Sequence, residues 1–202
     1  MRTCLPASIA VMIIALASCS VKGAFTQPEK DLIRNSGDVM RVLSIFNPDD
    51  SLILRTPSEM LDDKAIKSEE YRLLAEKMLT TVQSPEQDGV GIAAPQVGIN
   101  RRIVAVWRGD KEGGPFEVYP NVRIDSLFGE VRPGREGCLS VPGWRGIVPR
   151  YSSVIVSFTD PATLQTVRDT VHGYSAIIFQ HECDHLDGII YTDRADSLST
   201  LK

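Results

Sequence analysis

The pattern His181-Glu182-Cys183-Asp184-His185 constrains this chain more than any other feature of it. Two imidazoles four residues apart share a face only on a helix. Residues 173–187 (GYSAIIFQHECDHLD) are therefore read as a helix, and Gly188 as its stop. On that face His181 and His185 can meet one cation, while Glu182, next to the first, can exchange a proton with water. A catalytic metal also needs a third protein ligand. Residues 189–202 contain neither His nor Glu, which leaves Asp193 and Asp196 as weak candidates after the helix. Upstream stands Cys138, in Glu136-Gly137-Cys138-Leu139-Ser140, where neighbouring glycine lets backbone approach a ligand closely. A thiolate with two imidazoles suits a tetrahedral Zn²⁺ or Fe²⁺ site with one open position. A plain buried cysteine would look the same in sequence.

The rest of the chain must present this helix to a site. Its 202 residues are 43% hydrophobic, enough for one domain with a core. The net charge of −4, with no long run of one sign, excludes a basic nucleic-acid groove. Residues 64–82 place Ile66, Tyr71, Leu74, Met78 and Val82 on one helical face and predict an amphipathic helix. Residues 102–107 (RIVAVW), FEVYPNVRI from 116, and the pair 153–158 and 164–171 around Asp160-Pro161 read as strands, the last two as a hairpin. Strands cluster in the middle and helices at the ends, which favours α+β over a βαβ array.

Residues 1–19 carry Arg2, an apolar run from Leu5 to Leu16, small residues and Cys19. That is the layout of an export signal, too short for a span of ~20 residues. Leu16-Ala17-Ser18-Cys19 resembles a bacterial lipobox, which implies a lipidated Cys19 at the new N-terminus; removing Arg2 with the signal takes the charge from −4 to −5. The resulting division is 1–19 signal, 20–44 tether, 45–196 catalytic domain and 197–202 tail.

Three blocks, in order, resemble peptide deformylases: Gly89-Val90-Gly91-Ile92-Ala93-Ala94-Pro95-Gln96, Glu136-Gly137-Cys138-Leu139-Ser140, and Gln180-His181-Glu182-Cys183-Asp184-His185-Leu186-Asp187-Gly188. Val141-Pro142-Gly143, Arg145-Gly146 and Asp193-Arg194 agree as well. The resemblance covers about residues 45–196. It implies antiparallel strands packed around the C-terminal helix that carries H-E-x-x-H, and an N-formylated peptide as substrate. It assigns one divalent metal, Fe²⁺ with Zn²⁺ or Ni²⁺ as alternatives, to Cys138, His181 and His185. It makes Glu182 the general acid/base and gives the developing oxyanion to the Gln96 side chain and the Leu139 backbone N–H. It places the substrate's methionine against Ile177 and Ile178, its backbone on Gly91, and a point further along on Arg145. Cys183, nearly opposite His181 on the helix, is read as packing, His172 as a surface or strand histidine, Trp107 as core and Trp144 as a cleft rim.

Two departures are local: Ile92 for the more usual leucine, and Tyr119-Pro120-Asn121 where many relatives have Asn-Pro. The export signal is the larger misfit, because deformylases of this kind act in the cytosol. The sequence thus implies an exported, membrane-anchored monomer that meets the membrane only through a lipid on Cys19, or a cytoplasmic one if the signal is not used. Two other readings stay open, an exported zinc endopeptidase with its third ligand after the helix, and a lipoprotein that binds metal or formyl peptide without turnover.

Overall fold

The computed structural model describes residues 23–201, so the signal and lipobox expected at 1–19 lie outside the described residues. Helices come first: α1 (Gln27–Asn35), α2 (Pro48–Leu54), α3 (Asp63–Ile66) and α4 (Glu69–Val82). Strands β1 (Gly91–Ala93), β2 (Ile103–Trp107) and β3 (Phe116–Pro120) form one antiparallel sheet in the order β1-β2-β3. A second antiparallel sheet joins β4 (Arg123–Glu136), β5 (Trp144–Thr159) and β6 (Thr166–His172), with β7 (Ser197–Thr200) against the start of β5. Helix α5 (Gly173–Leu186) follows β6 directly and packs on both sheets. This is the α+β arrangement with antiparallel strands around the H-E-x-x-H helix that the sequence implies.

The helical face expected over 64–82 exists, and Ile66, Tyr71, Leu74, Met78 and Val82 are all buried. It is broken once. Ser68 caps a new helix by accepting from Tyr71 N, so α3 and α4 are separate. Each fully buried side chain of this row contributes roughly 1.5–3 kcal/mol of apolar burial. Leu52-Ile53-Leu54 ends α2, started by Asn47 accepting from the backbone N–H groups of Asp49 and Asp50. The glycine- and proline-rich stretch 130–150 is the β4–β5 hairpin, and residues 137–143 are its loop. Gly188, at φ 74°, ends α5, and a Cβ there would sit 2.5 Å from the Arg55 carbonyl oxygen, so only glycine fits.

Two boundaries need correction. The stretch 20–44, read as a tether from its scattered apolar residues, belongs to the folded body from Phe25 onward. Phe25, Ile33, Met40 and Leu43 are buried, and Thr26 with Glu29 forms a capping box on α1. The buried Lys77 amine caps the other end of α1, donating to the carbonyls of Ile33 and Ser36 at 2.8 and 2.6 Å. The tail 197–202 likewise contains β7, paired from Trp144 to Ile147. Among the described residues no helix is long and apolar enough to cross a membrane.

Candidate metal centre

The site forms where the loop of the β4–β5 hairpin meets the second half of α5. Cys138 is buried in that loop, and its Sγ lies 3.1 Å from His185 Nε2. One ligand atom each from Cys138, His181 and His185 lies within 4.8 Å of the others, which brings the three expected ligands together. Asp193 is not among them. It pairs with Arg55 and accepts from Ile190 N at 2.9 Å, away from the imidazoles. Asp196, the other candidate after the helix, is not in the group either.

The donors fit a divalent cation. Burial pushes His185 well below its ordinary value, followed in effect by the charge of His181, so its imidazole is neutral with a lone pair to offer. At His181 burial opposes charge, but Cys138 and Glu136 outweigh it and raise the ring well above its ordinary value. The pocket thus draws positive charge to the point where the thiol and imidazoles converge, and a dication satisfies that demand.

Glu136 orients the first imidazole. Its Oε2 lies 2.8 Å from His181 Nδ1, leaving Nε2 for the metal. Arg150 grips the same carboxylate at 2.8 and 3.1 Å and reaches Asp184 at 2.6 Å; Arg194 holds Asp184 from outside at 2.6 and 2.7 Å. Burial works against the Glu136 carboxylate, yet His181 and Arg150 hold it at about 2. Tyr191 stacks on the His181 ring at 6.0 Å and 20°. Glu136 and Arg150 had no role in the sequence reading. The motif contained Glu136, but nothing local linked it to an imidazole 45 residues away.

Glu182 is buried and its Oε2 has no hydrogen-bond partner among the described residues. Burial pushes its carboxyl up to about 7. A dication at the neighbouring ligands would pull it down again, toward the carboxylate a base requires. Gln96 is buried, on the 3-10 turn after β1. Its Oε1 accepts from Ala93 N at 2.8 Å, which turns Nε2 toward Cys138 Sγ (3.5 Å) and Ser140 Oγ (3.2 Å).

A cleft of about 330 Å³ opens over these groups. Gly91, Gln96, Leu139, Arg145, Ile177, Ile178, His181 and Glu182 all line it, so every site residue expected from sequence except the buried His185 faces one space. A Cβ on Gly91 would stand 2.5 Å from Glu182 Oε1 and 2.6 Å from Ile178 Cγ2, so the bare backbone there admits the base. Ile178 also belongs to the core beneath α5, whereas Ile177 is only partly buried. Cys183 packs in that core, as expected. Trp107 packs against it, and Trp144 packs by Ile190 and Tyr191 instead of lining the cleft. His172 is exposed at the end of β6, 2.9 Å from Ser153 Oγ. Tyr174, Arg135 and Asp88 line the cleft without having been anticipated.

A cysteine and two helical histidines around a buried glutamate, under a cleft with an amide donor, define a mononuclear metal hydrolase. The family is set by comparison. The polypeptide deformylase family model matches residues 42–200. A peptide deformylase of Leptospira biflexa is 36% identical over 166 residues, covering 79% of this chain and 89% of that protein. The crystal structure of the class I type b peptide deformylase from Acinetobacter baumannii with actinonin superposes with a TM-score of 0.68 at 34% identity, over 78% of this chain and 99% of that one. The same enzyme bound to Met-Ala-Ser gives 0.68 at 33%, over 77% and 98%. The chain belongs to the polypeptide deformylase family, and it is an enzyme that acts as a peptide deformylase.

Proposed function

We propose that Cys138, His181 and His185 hold one Fe²⁺ and that the cleft hydrolyses the formamide of N-formylmethionyl peptides. The observation that carries this reading is the convergence of the three ligand atoms beside the buried, unpartnered Glu182 carboxylate. When bound, the dication supplies Lewis acidity for the formyl carbonyl and for water. Glu182 takes a proton from the attacking water and delivers it to the leaving amine, so that water and formamide become formate and a free amine. Gln96 Nε2 and the Leu139 backbone N–H hold the developing oxyanion, each such donor worth about 3 kcal/mol of barrier. The methionine side chain lies against Ile177 and Ile178, and Gly91 pairs with the peptide backbone. The relative that binds Met-Ala-Ser supports a peptide in this cleft.

The export signal and lipobox at 1–19 support a lipidated, membrane-anchored monomer acting outside the cytosol on formylated peptides. Burial of Cys138, together with its metal, protects the thiolate there. Formate release from formyl-Met-Ala, with metal content determined on the same sample, tests the activity. A metal-loaded chain that releases none refutes it. Mass spectrometry of the native N-terminus tests lipidation of Cys19, and an unprocessed Met1 overturns export.

A further inference from the structure

We propose that Arg135 and Arg145 form a carboxylate-binding wall at the outer end of the cleft, which selects formylated peptides carrying a carboxylate two or three residues after the methionine. The inference rests on the deformylase reading above and names its preferred substrate class. Both arginines line the cleft. They sit on paired strands: Arg135 faces Ile147 and Glu136 faces Gly146. Residues two apart on a strand share a face, so on β5 Arg145 shares one with Ile147, the residue paired with Arg135. A Cβ built on Gly137 would run into the Arg145 guanidinium, which therefore lies over that glycine. The two cations are thus diagonal neighbours on one face.

Their charges stand out against the rest of the molecule. Every other arginine among the described residues carries an ion pair. Arg145 donates only to the Trp144 carbonyl, at 3.0 Å, and no partner of Arg135 exists among the described residues. Two unneutralised guanidinium groups side by side repel each other, and a carboxylate relieves both. Arg135, next to the end of β4, lies three residues before Cys138, a chain reach of at most about 10 Å at ~3.3 Å per extended residue. That is the reach of two to three residues of an extended peptide whose formyl end lies at the metal. The other acidic groups of the cleft fix where the carboxylate goes. Glu136 is neutralised by Arg150, Glu182 is the base, and Asp88, exposed on the facing loop, repels an anion on its side.

The carboxylate could belong to an acidic side chain or to the C-terminus of a short peptide. Four substrates separate these with the metal-loaded enzyme: formyl-Met-Ala-Ser as free acid, its C-terminal amide, and the amides of formyl-Met-Ala-Glu and formyl-Met-Ala-Lys. The expected result is a kcat/KM roughly five- to tenfold higher for the carboxylate-bearing peptides than for the neutral amide at low salt, shrinking as salt rises. Preference for the free acid alone identifies the terminal carboxylate, and preference for the Glu amide alone identifies the side chain. Arg135→Gln should bring the ratio near one by lowering kcat/KM for the carboxylate-bearing peptides. Equal turnover of charged and neutral peptides, or a preference that survives Arg135→Gln, overturns the proposal. Calorimetric binding of Met-Ala-Ser as acid and as amide is read in parallel. A chain with no turnover at all refutes the activity, while the binding ratio still decides the arginine wall.

Discussion

The Nδ1 of His181 donates to the Oε2 of Glu136 at 2.8 Å, because a carboxylate held at about 2 can only accept. This bond fixes the tautomer of one metal ligand, and Arg150 fixes the carboxylate in turn. Glu136→Gln keeps the shape and removes the charge. The ring then loses its strongest orienting partner, and metal affinity should fall roughly 10–100-fold. Competition with a chromogenic chelator measures this; unchanged affinity would show that Glu136 only packs.

Glu182 and Cys138 separate chemistry from metal binding. Glu182→Gln should retain stoichiometric metal and lose roughly 10²–10⁴ in formate release, because only the proton transfer is removed. Cys138→Ala should lose the metal first. Metal analysis beside the formate assay reads both variants. A Cys138→Ala protein that keeps its metal would return the third ligand to the region after α5 and favour the endopeptidase arrangement.

Gly91 is tested by one added methyl group. Its Cβ would press within 2.5 Å of Glu182 Oε1 and 2.6 Å of Ile178 Cγ2, so the base must shift. A displacement near 1 Å costs on the order of 100-fold in rate. We expect Gly91→Ala to lower kcat by about that factor while metal content stays full. A variant with parental kcat would mean that the β1 backbone yields and the base does not.

Much of this site was legible in sequence because its parts are short and local. The spacing of His181 and His185 needs only helical geometry, and Gly188 ends that helix by its φ. Cys138 was reached as a candidate third ligand and Gln96 through motif resemblance, but no periodicity joins these residues, 42 apart, that meet at 3.5 Å. The Arg150 network was invisible for the same reason. It is built across strands β4 and β5, and register is not written in either strand alone. The reading of 20–44 as a tether failed on composition. Isolated apolar residues such as Ile33 and Met40 carry no obvious run, yet each finds a place against α4 and the β1–β2 sheet once Lys77 and Arg101 secure the polar backbone and Glu29 around them.

The acidic groups around the buried Arg108 predict an acid limb in stability. Arg108 is almost fully buried and donates to Asp110 at 2.8 and 2.7 Å, to Asp169 at 2.8 Å and to the Tyr119 hydroxyl at 2.5 Å. Its hydrogen bonds to Asp110 are the largest cause lowering that carboxyl from 3.8 to about 2. A carboxyl depressed in the folded state stabilises the protein fully above its unfolded pKa, and this is lost as pH falls through the folded one. Asp110 is itself exposed, so solvent screening reduces its contribution to about 1 kcal/mol, which should be present at pH 7 and disappear between about pH 4 and pH 2. Asp110→Asn should lose about that much at pH 7, and its stability should fall less steeply than the parent's through that window. Urea unfolding of both proteins, metal-free and in matched buffers, measures the difference. Two curves that stay parallel from pH 4 to pH 2 would show that the Asp110 charge contributes nothing to folding, leaving Arg108 held by Asp169 and Tyr119.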